Sequence, residues 1–399
     1  MTLAESWRVL GECIAPESDV SPGTRTERSW HALFGNRPRS LLLPAGNRRA
    51  RRNAMRVFLP NLWRELYARL RLHAHDLLGR RARLPALTLA PPAALALSEW
   101  LKGQLGHRLP AAAESQLAFL IGTPGPYQKA SILVMSATGD PQMLVKLALR
   151  SGANKMVQAE SVWLRVLNAC EPMDASVPRL IDDGRASNGN RYVAQSIVTG
   201  KPGSQSFTAA HSDFLGRLGS IDRHVCEFQA SPLRRLLDDG LAELSPSLSA
   251  PRRDLFEAAL EDCNVRLDAW RGPFVISHGD FAAWNIRTAD TLCVFDWEYA
   301  NAGMSPLFDP LHFQLIGPAS SGRSLRVREF NQALAVAKQF AVETYPEFKW
   351  DARIVAAHGL AYLLHTLQFY GVSRGELLEH HPVIRNFCDL IEARQLWLL

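Results

Sequence analysis

The chain has 399 residues, 47% apolar and 21% charged, with a net charge of +6, a balance ordinary for a soluble globular protein of two or three structural units. Six cysteines (Cys13, Cys170, Cys226, Cys263, Cys293 and Cys388) are scattered without a C-x-x-C pair, which argues against a disulfide framework or zinc site and for a reducing compartment. The opening "MTLAESWRVLGE" lacks a secretory pattern and no run reaches the roughly 18 apolar residues of a membrane span, so the expected home is the cytoplasm.

The charge is uneven. Residues 36–84 hold thirteen arginines, no lysine and two acids, Glu65 and Asp76; that is a net +11, leaving −5 for the rest of the chain. Within this segment "PNLWRELYARLRLHAHDLLGRR", near 60–81, repeats Leu62, Leu66, Leu70, Leu77 and Leu78 at helical spacing, which predicts a basic amphipathic helix. Residues 1–105 therefore read as a helical, Arg-rich N-terminal extension, with "LPALTLAPPAALAL" as connector. Three roles stay open for it: docking on the acidic remainder or on a protein partner, peripheral contact with an anionic membrane, and binding nucleic acid. The absence of any nucleic-acid motif makes the last the least favoured.

Residues 106–198 turn strand-like. "LAFLIG", "ASILVMS" and "MLVKLAL" are apolar runs broken by Gly/Pro turns, followed by a helix, "ANKMVQAESVWLRVLNAC". "VPRLIDDGR" and "RYVAQSIV" supply two further strands, which together predict a small antiparallel sheet. Lys146 sits mid-strand between apolar neighbours, where an unpaired ammonium is costly. Glu160 on the next helix is its natural counter-ion; Lys155 and Glu171 are placed less well.

Residues 199–399 are mainly helical, in "HSDFLGRLGSIDRHVCEF", "PRRDLFEAALEDCNVRLDAW", "VREFNQALAVAKQFAVETY", "ARIVAAHGLAYLLHTLQFYG" and "VIRNFCDLIEARQLWLL". The exception is "VISHGDFAAWNIRTADTLCVFDWEYA", residues 275–300. It sets Asp280, Asn285 and Asp296, three hard oxygen donors, on apolar strand-like backbone. Magnesium takes such donors, usually one or two carboxylates completed by substrate phosphates. In phosphoryl transfer one aspartate orients the attacking hydroxyl while an asparagine and a second aspartate hold metal. A divalent cation also removes the repulsion of crowded carboxylates.

"HGDFAAWN" followed by "FDWEYA" resembles the H-G-D-x-x-x-x-N and I-D-W/F-E signatures of the aminoglycoside phosphotransferase and choline kinase group. The resemblance covers roughly residues 115–399. It implies an α+β, protein-kinase-like two-lobe fold, with a small antiparallel-sheet N-lobe and a mainly helical C-lobe, and an ATP- and magnesium-dependent kinase of small-molecule hydroxyls. It further implies that Asp280 orients the hydroxyl, Asn285 and Asp296 bind magnesium, and His278 braces the loop. Glu298 would reach a second metal or a substrate group, and Asp309 would tie a helix to the loop. Lys146 and Glu160 would be the nucleotide-binding pair, with the backbone of Ser196 and Val198 meeting adenine.

Two features depart from the group. "IGTPGPYQK" carries Gly122 and Gly125 without G-x-G-x-x-G, and Gly219 stands where a histidine is common. The acceptor is expected to be an amino alcohol such as choline or ethanolamine, or a sugar or glycan precursor; Tyr362, Phe369 and Tyr370 are candidate cation–π partners for the former. Trp284 and Trp297 are expected to pack rather than to serve as substrate platforms. The competing reading is an inactive, nucleotide-binding scaffold that holds a partner through its basic segment.

Overall fold

Strands with long apolar runs must be covered on both faces, and the central strands of this protein's sheet carry such runs, "LAFLI" and "ILVM". The structure is a computed structural model; it describes residues 29–33, 40–58, 86–88 and 115–397 except 375–379, with residues 10, 67, 70, 100, 103 and 105 as isolated positions. Of the predicted helix near 60–81 only residues 67 and 70 are described, and of the connector after it only Ala86–Thr88, which form a strand. The chain divides into two units, one within residues 1–169, 177–202 and 287–289, the other within 170–176, 203–286 and 290–399.

In the first unit the elements run β1 (Ser29–Leu33), β2 (Ser40–Pro44), α1 (Arg48–Phe58), β3 (Ala86–Thr88), β4 (Gln116–Ile121), β5 (Lys129–Met135), β6 (Pro141–Ala148), α2 (Ala153–Asn168), β7 (Leu180–Arg185), β8 (Arg191–Ser196) and β9 (Lys201–Pro202). One antiparallel sheet has the order β3-β1-β2-β4-β5-β6-β8-β7. The five strands expected from residues 106–198 are all present. Among the described residues of the extension α1 is helical, but β1, β2 and β3 lengthen the same sheet, and residues 1–169 fall in one unit. "SLLLP" reads ambiguously alone; beside β4 its backbone groups gain ladder partners and all five residues are buried.

Alternation along the strands divides the core. Leu42, Leu117, Phe119, Ile132, Val134, Val145 and Leu147 fill one face, with the Trp30 indole N–H donating to the Leu117 carbonyl at 2.8 Å. Leu41, Leu43, Ala118, Leu133 and Met135 fill the other, where α1 covers them with Ala50, Ala54 and Met55. Asn47 fixes the start of α1, its Oδ1 accepting from Ala50 N at 2.9 Å. Gly139, at φ 92°, packs so closely on the helix that a Cβ would stand 2.6 Å from Ala50 N. The arginines of "RRARR" thus part company. Arg51 is buried, its guanidinium donating to the Pro44 and Ala45 carbonyls, whereas Arg48, Arg49, Arg52 and Arg56 face outward. The apolar face of α1 is used up inside the protein.

The second unit holds α3 (Ala209–Ile221), β10 (Arg223–Glu227), α4 (Pro232–Leu244), α5 (Ala250–Leu267), β11 (Arg271–Ser277), β13 (Leu292–Val294), β14 (Asn301–Met304), α6 (Phe308–Ser320), α7 (Val327–Thr344), α8 (Ala352–Arg374) and α9 (Pro382–Glu392). Between β11 and β13 runs β12 (Ile286–Thr288), whose last two residues pair with β9 in the first unit. The predicted helix through "RHVCEF" stops at Ile221; residues 223–227 pair instead with β11 in a three-stranded sheet, β10-β11-β14. Helix α6 carries Pro310 and Pro318. Pro310 is tolerated because its missing N–H falls in the first turn. No helix among the described residues is long and apolar enough to cross a membrane.

Candidate active site

Strand β11, buried from Gly272 to Ser277, ends at the H-G-D turn. Gly279 turns the chain at φ 78°, and a Cβ there would stand 2.2 Å from the Tyr299 carbonyl oxygen, so the H-G-D triplet needs its glycine. Asp309, in the first turn of α6, grips this turn: its carboxylate accepts from Ser277 Oγ at 2.9 Å, His278 N at 2.7 Å and Gly279 N at 3.1 Å. His278 is fully buried, and burial pushes its imidazole below the usual range against the pull of Asp309, Asp280 and Asp296. It is therefore neutral. Its Nδ1 accepts from Asp280 N at 3.2 Å, which leaves Nε2–H to donate to the Phe295 carbonyl at 3.1 Å.

That last bond joins the Asp280 turn to the residue before Asp296. A second does the same, from Phe295 N to the Asn285 carbonyl at 3.0 Å. Asn285 lies five residues after Asp280 and eleven before Asp296, and these two bonds at Phe295 tie all three together. Asn285 Nδ2 donates to Asp280 Oδ2 at 2.8 Å and to the Asp280 carbonyl at 3.0 Å. With its nitrogen committed, Asn285 keeps its amide oxygen for another partner. Asp296 stands in the left-handed region, φ 75° and ψ 59°, where among described non-glycine residues only Ala175 joins it. An aspartate tolerates that conformation at modest cost, and such backbone collects at functional sites. Asp296 and Glu298 each bring a carboxylate oxygen within 4.8 Å of the other. This all-oxygen set of amide and carboxylates fits a hard divalent cation such as magnesium.

Aromatic rings clamp the loop. Trp297 is fully buried and meets His278 edge-on at 4.5 Å, while Phe281 stacks on Phe214 at 5.8 Å. Trp284 differs from the expectation of packing, with 42% of its surface exposed one residue before Asn285. Tyr362, a candidate cation–π partner by sequence, is buried at 2% exposure and is unavailable to a ligand.

In the first unit Lys146 Nζ lies 2.5 Å from Glu160 Oε1, with side-chain exposures of 8% and 0%. Ser196 ends β8 with its N–H given to the Arg179 carbonyl at 2.9 Å; Val198 lies two residues beyond the strand. The turn between β4 and β5 is closed by Gly122 N to the Lys129 carbonyl at 2.8 Å. The departure at Gly219 has a steric cause: a Cβ there would stand 2.2 Å from Tyr345 Oη, so the tyrosine fills the space a side chain would take.

His312 is the residue that sequence reasoning passed over. It lies one helical turn after Asp309, and its Nε2 is 3.0 Å from Asp280 Oδ1. The i, i+3 spacing in "DPLH" was the available signal.

The model of the phosphotransferase enzyme family matches residues 131–349. Solved structures with similar folds include an apo thermostable mutant of aminoglycoside phosphotransferase APH(4)-Ia (15% identity, 74% of this chain and 97% of that one, TM-score 0.49). The GDP complex of an aminoglycoside 2'-phosphotransferase-IIIa mutant is another (14% identity, 75% and 97%, TM-score 0.47). The comparison with curated proteins gives no match. With its antiparallel-sheet unit followed by a helical one, the α+β, protein-kinase-like fold is that of the matched family, and the chain belongs to the phosphotransferase enzyme family.

Proposed function

We propose that the protein is an ATP- and magnesium-dependent kinase that phosphorylates a hydroxyl of a small molecule. The observation that carries this reading is the Asp280 carboxylate held at both oxygens, by Asn285 and His312, at the end of a buried strand. A carboxylate so fixed can orient an attacking hydroxyl, and in phosphoryl transfer positioning and charge neutralisation are most of what a protein supplies. Asn285 Oδ1 and Asp296 would hold magnesium, with Glu298 as a further oxygen donor; the metal would neutralise phosphate charge. In the first unit Lys146, braced by Glu160, would take nucleotide phosphates, and the backbone near Ser196 and Val198 would take adenine.

Trp284 supports an acceptor that presents either a cationic amine or a sugar face, since an exposed indole offers both cation–π and stacking contact. The test is ADP formation from ATP across a panel of amino alcohols, sugars and aminoglycosides, with Asp280→Ala as control. Turnover by the wild type and its loss in the variant are expected. Nucleotide binding with no turnover by either would sink the reading in favour of a scaffold. Trp284→Ala should raise KM for the acceptor and leave KM for ATP unchanged.

The outward stripe of α1 supports an anionic partner held by charge. Arg48, Arg49, Arg52 and Arg56, with Asn53 and Pro141, line a hollow of about 630 Å³ in which Asp140 is the single acid. Because Ala50, Ala54 and Met55 are buried, α1 has no apolar face left to insert into lipid. Replacing the four arginines with glutamine should abolish salt-sensitive binding to acidic protein partners; undiminished binding would remove this role.

A further inference from the structure

We propose that Tyr362 and His312 form a buried relay whose work is to hold the Asp280 carboxylate in one orientation, making both of them positioning residues for phosphoryl transfer. The inference rests on the reading of Asp280 given above.

The chain of contacts is continuous and crosses three elements. Tyr362 Oη, from the middle of α8, lies 3.3 Å from His312 Nδ1 on α6; His312 Nε2 lies 3.0 Å from Asp280 Oδ1 after β11. Protons can be placed along it from chemistry alone. Burial pushes the Tyr362 phenol well above its ordinary range, so it keeps a proton that it can donate to Nδ1 at 3.3 Å. An imidazole that accepts at Nδ1 carries its proton at Nε2 in the neutral form, and that proton points at the carboxylate. In the other tautomer a ring lone pair would face Oδ1, and the contact would turn repulsive. Tyr362 thus selects the tautomer that His312 needs.

Why should Asp280 require this? Its side chain extends from a turn whose hinge is Gly279, at φ 78°. Asn285 alone holds one oxygen and would leave the carboxylate free to rotate about that contact. His312 pins the second oxygen, and the outer lone pairs then have a fixed direction for a hydroxyl. Helix α6 does both jobs from one turn: Asp309 fixes the backbone at Ser277–Gly279 and His312 fixes the side chain at Asp280. A buried histidine needed only for packing would have no call for two polar partners aligned on opposite nitrogens.

The experiment compares His312→Leu, His312→Gln and Tyr362→Phe in the full chain, using ADP release from magnesium–ATP with water as acceptor, alongside long-range ¹H–¹⁵N spectra of the histidine rings. A glutamine amide can donate from about the position of Nε2, whereas leucine fills the space without a donor. We expect His312→Leu to lose about 100-fold in kcat with KM for ATP unchanged, and His312→Gln to recover most of it. Tyr362→Phe should lose less, and should convert the Nε2-protonated spectrum of His312 to a tautomer mixture. Full kcat in His312→Leu, a glutamine variant no better than leucine, or an Nδ1-protonated ring in the wild type would each overturn the proposal. If wild type and Asp280→Ala release ADP equally, the reading of Asp280 itself fails. The spectra of wild type and Tyr362→Phe still decide whether the relay exists, including when His312→Leu does not fold.

Discussion

Asn285 Nδ2 donates to both the side chain and the carbonyl of Asp280, at 2.8 and 3.0 Å, so the amide that faces the carboxylate also fixes which of its own atoms faces away. The five-residue spacing in "DFAAWN" is what lets one side chain close the loop on itself.

Asn285→Asp should therefore do more harm than its size suggests. It replaces a donor with a carboxylate against Asp280 Oδ2, where like charges repel. We expect a loss of about 100-fold in kcat, since misplacement of a reacting group by an ångström costs that much. Calorimetric titration with magnesium–AMP-PNP should show weakened binding of the metal complex. Unchanged binding and turnover would show that Asn285 only closes the loop.

The Lys146–Glu160 pair makes a separable prediction. Lys146→Met leaves Glu160, at 0% side-chain exposure, without its counter-ion. Breaking one side of a buried pair costs about 3–5 kcal/mol, whereas removing both charges is far milder. Thermal unfolding should show Lys146→Met much less stable than Lys146→Met/Glu160→Gln. Both variants should lack turnover, because the ammonium that would meet phosphate is gone from each.

At Gly219 two effects oppose each other within α3. Alanine favours a helix interior over glycine by about 1 kcal/mol, yet its Cβ would sit 2.2 Å from Tyr345 Oη. Overpacking costs about 1–3 kcal/mol, so the clash should win and Gly219→Ala should lower the melting temperature. Adding Tyr345→Phe removes the clashing oxygen, and the double variant should regain the loss. Additive effects in the cycle would refute the steric account.

Histidines in the interior weaken the protein towards acid, His358, His211 and His365 among them. Burial lowers His358 to about 3 and His211 to about 4; burial together with the nearby His312 lowers His365 to about 4. Unfolded rings take a proton near pH 6.5 and folded ones do not, so the unfolded state binds more protons between about 6.5 and 4. Stability is complete above that window and falls as pH drops through it, by about 1.4 kcal/mol per pH unit for each ring. Urea midpoints between pH 7 and 4.5 should show the decline, and His358→Phe should flatten it. A slope unchanged by that substitution would exclude His358 as a contributor.

The motif residues were legible because their chemistry is local. His278, Asp280 and Asn285 fall within eight residues, and their spacing alone brings them to one turn. Strands of residues 116–196 were legible too, since Gly and Pro turns cut the apolar runs cleanly. The N-terminal strands were not. "SWHAL" and "SLLLP" are too short to show a period, and only pairing with β4 gives their backbone partners. Trp284 and Tyr362 exchanged their expected places because exposure depends on neighbours that a sequence does not name.

The sequence by itself determined which candidate oxygen donors are present and their order along the chain, since side-chain chemistry and short spacings survive without a fold. Tertiary structure alone decided that Asp280 is held from both sides. His312 and Tyr362 stand 32 and 82 residues away in sequence, and only the packing of α6 and α8 against the β11 turn brings their polar atoms into line. Hydrogen bonds act over about 3 Å, so what they join across such separations is settled by packing.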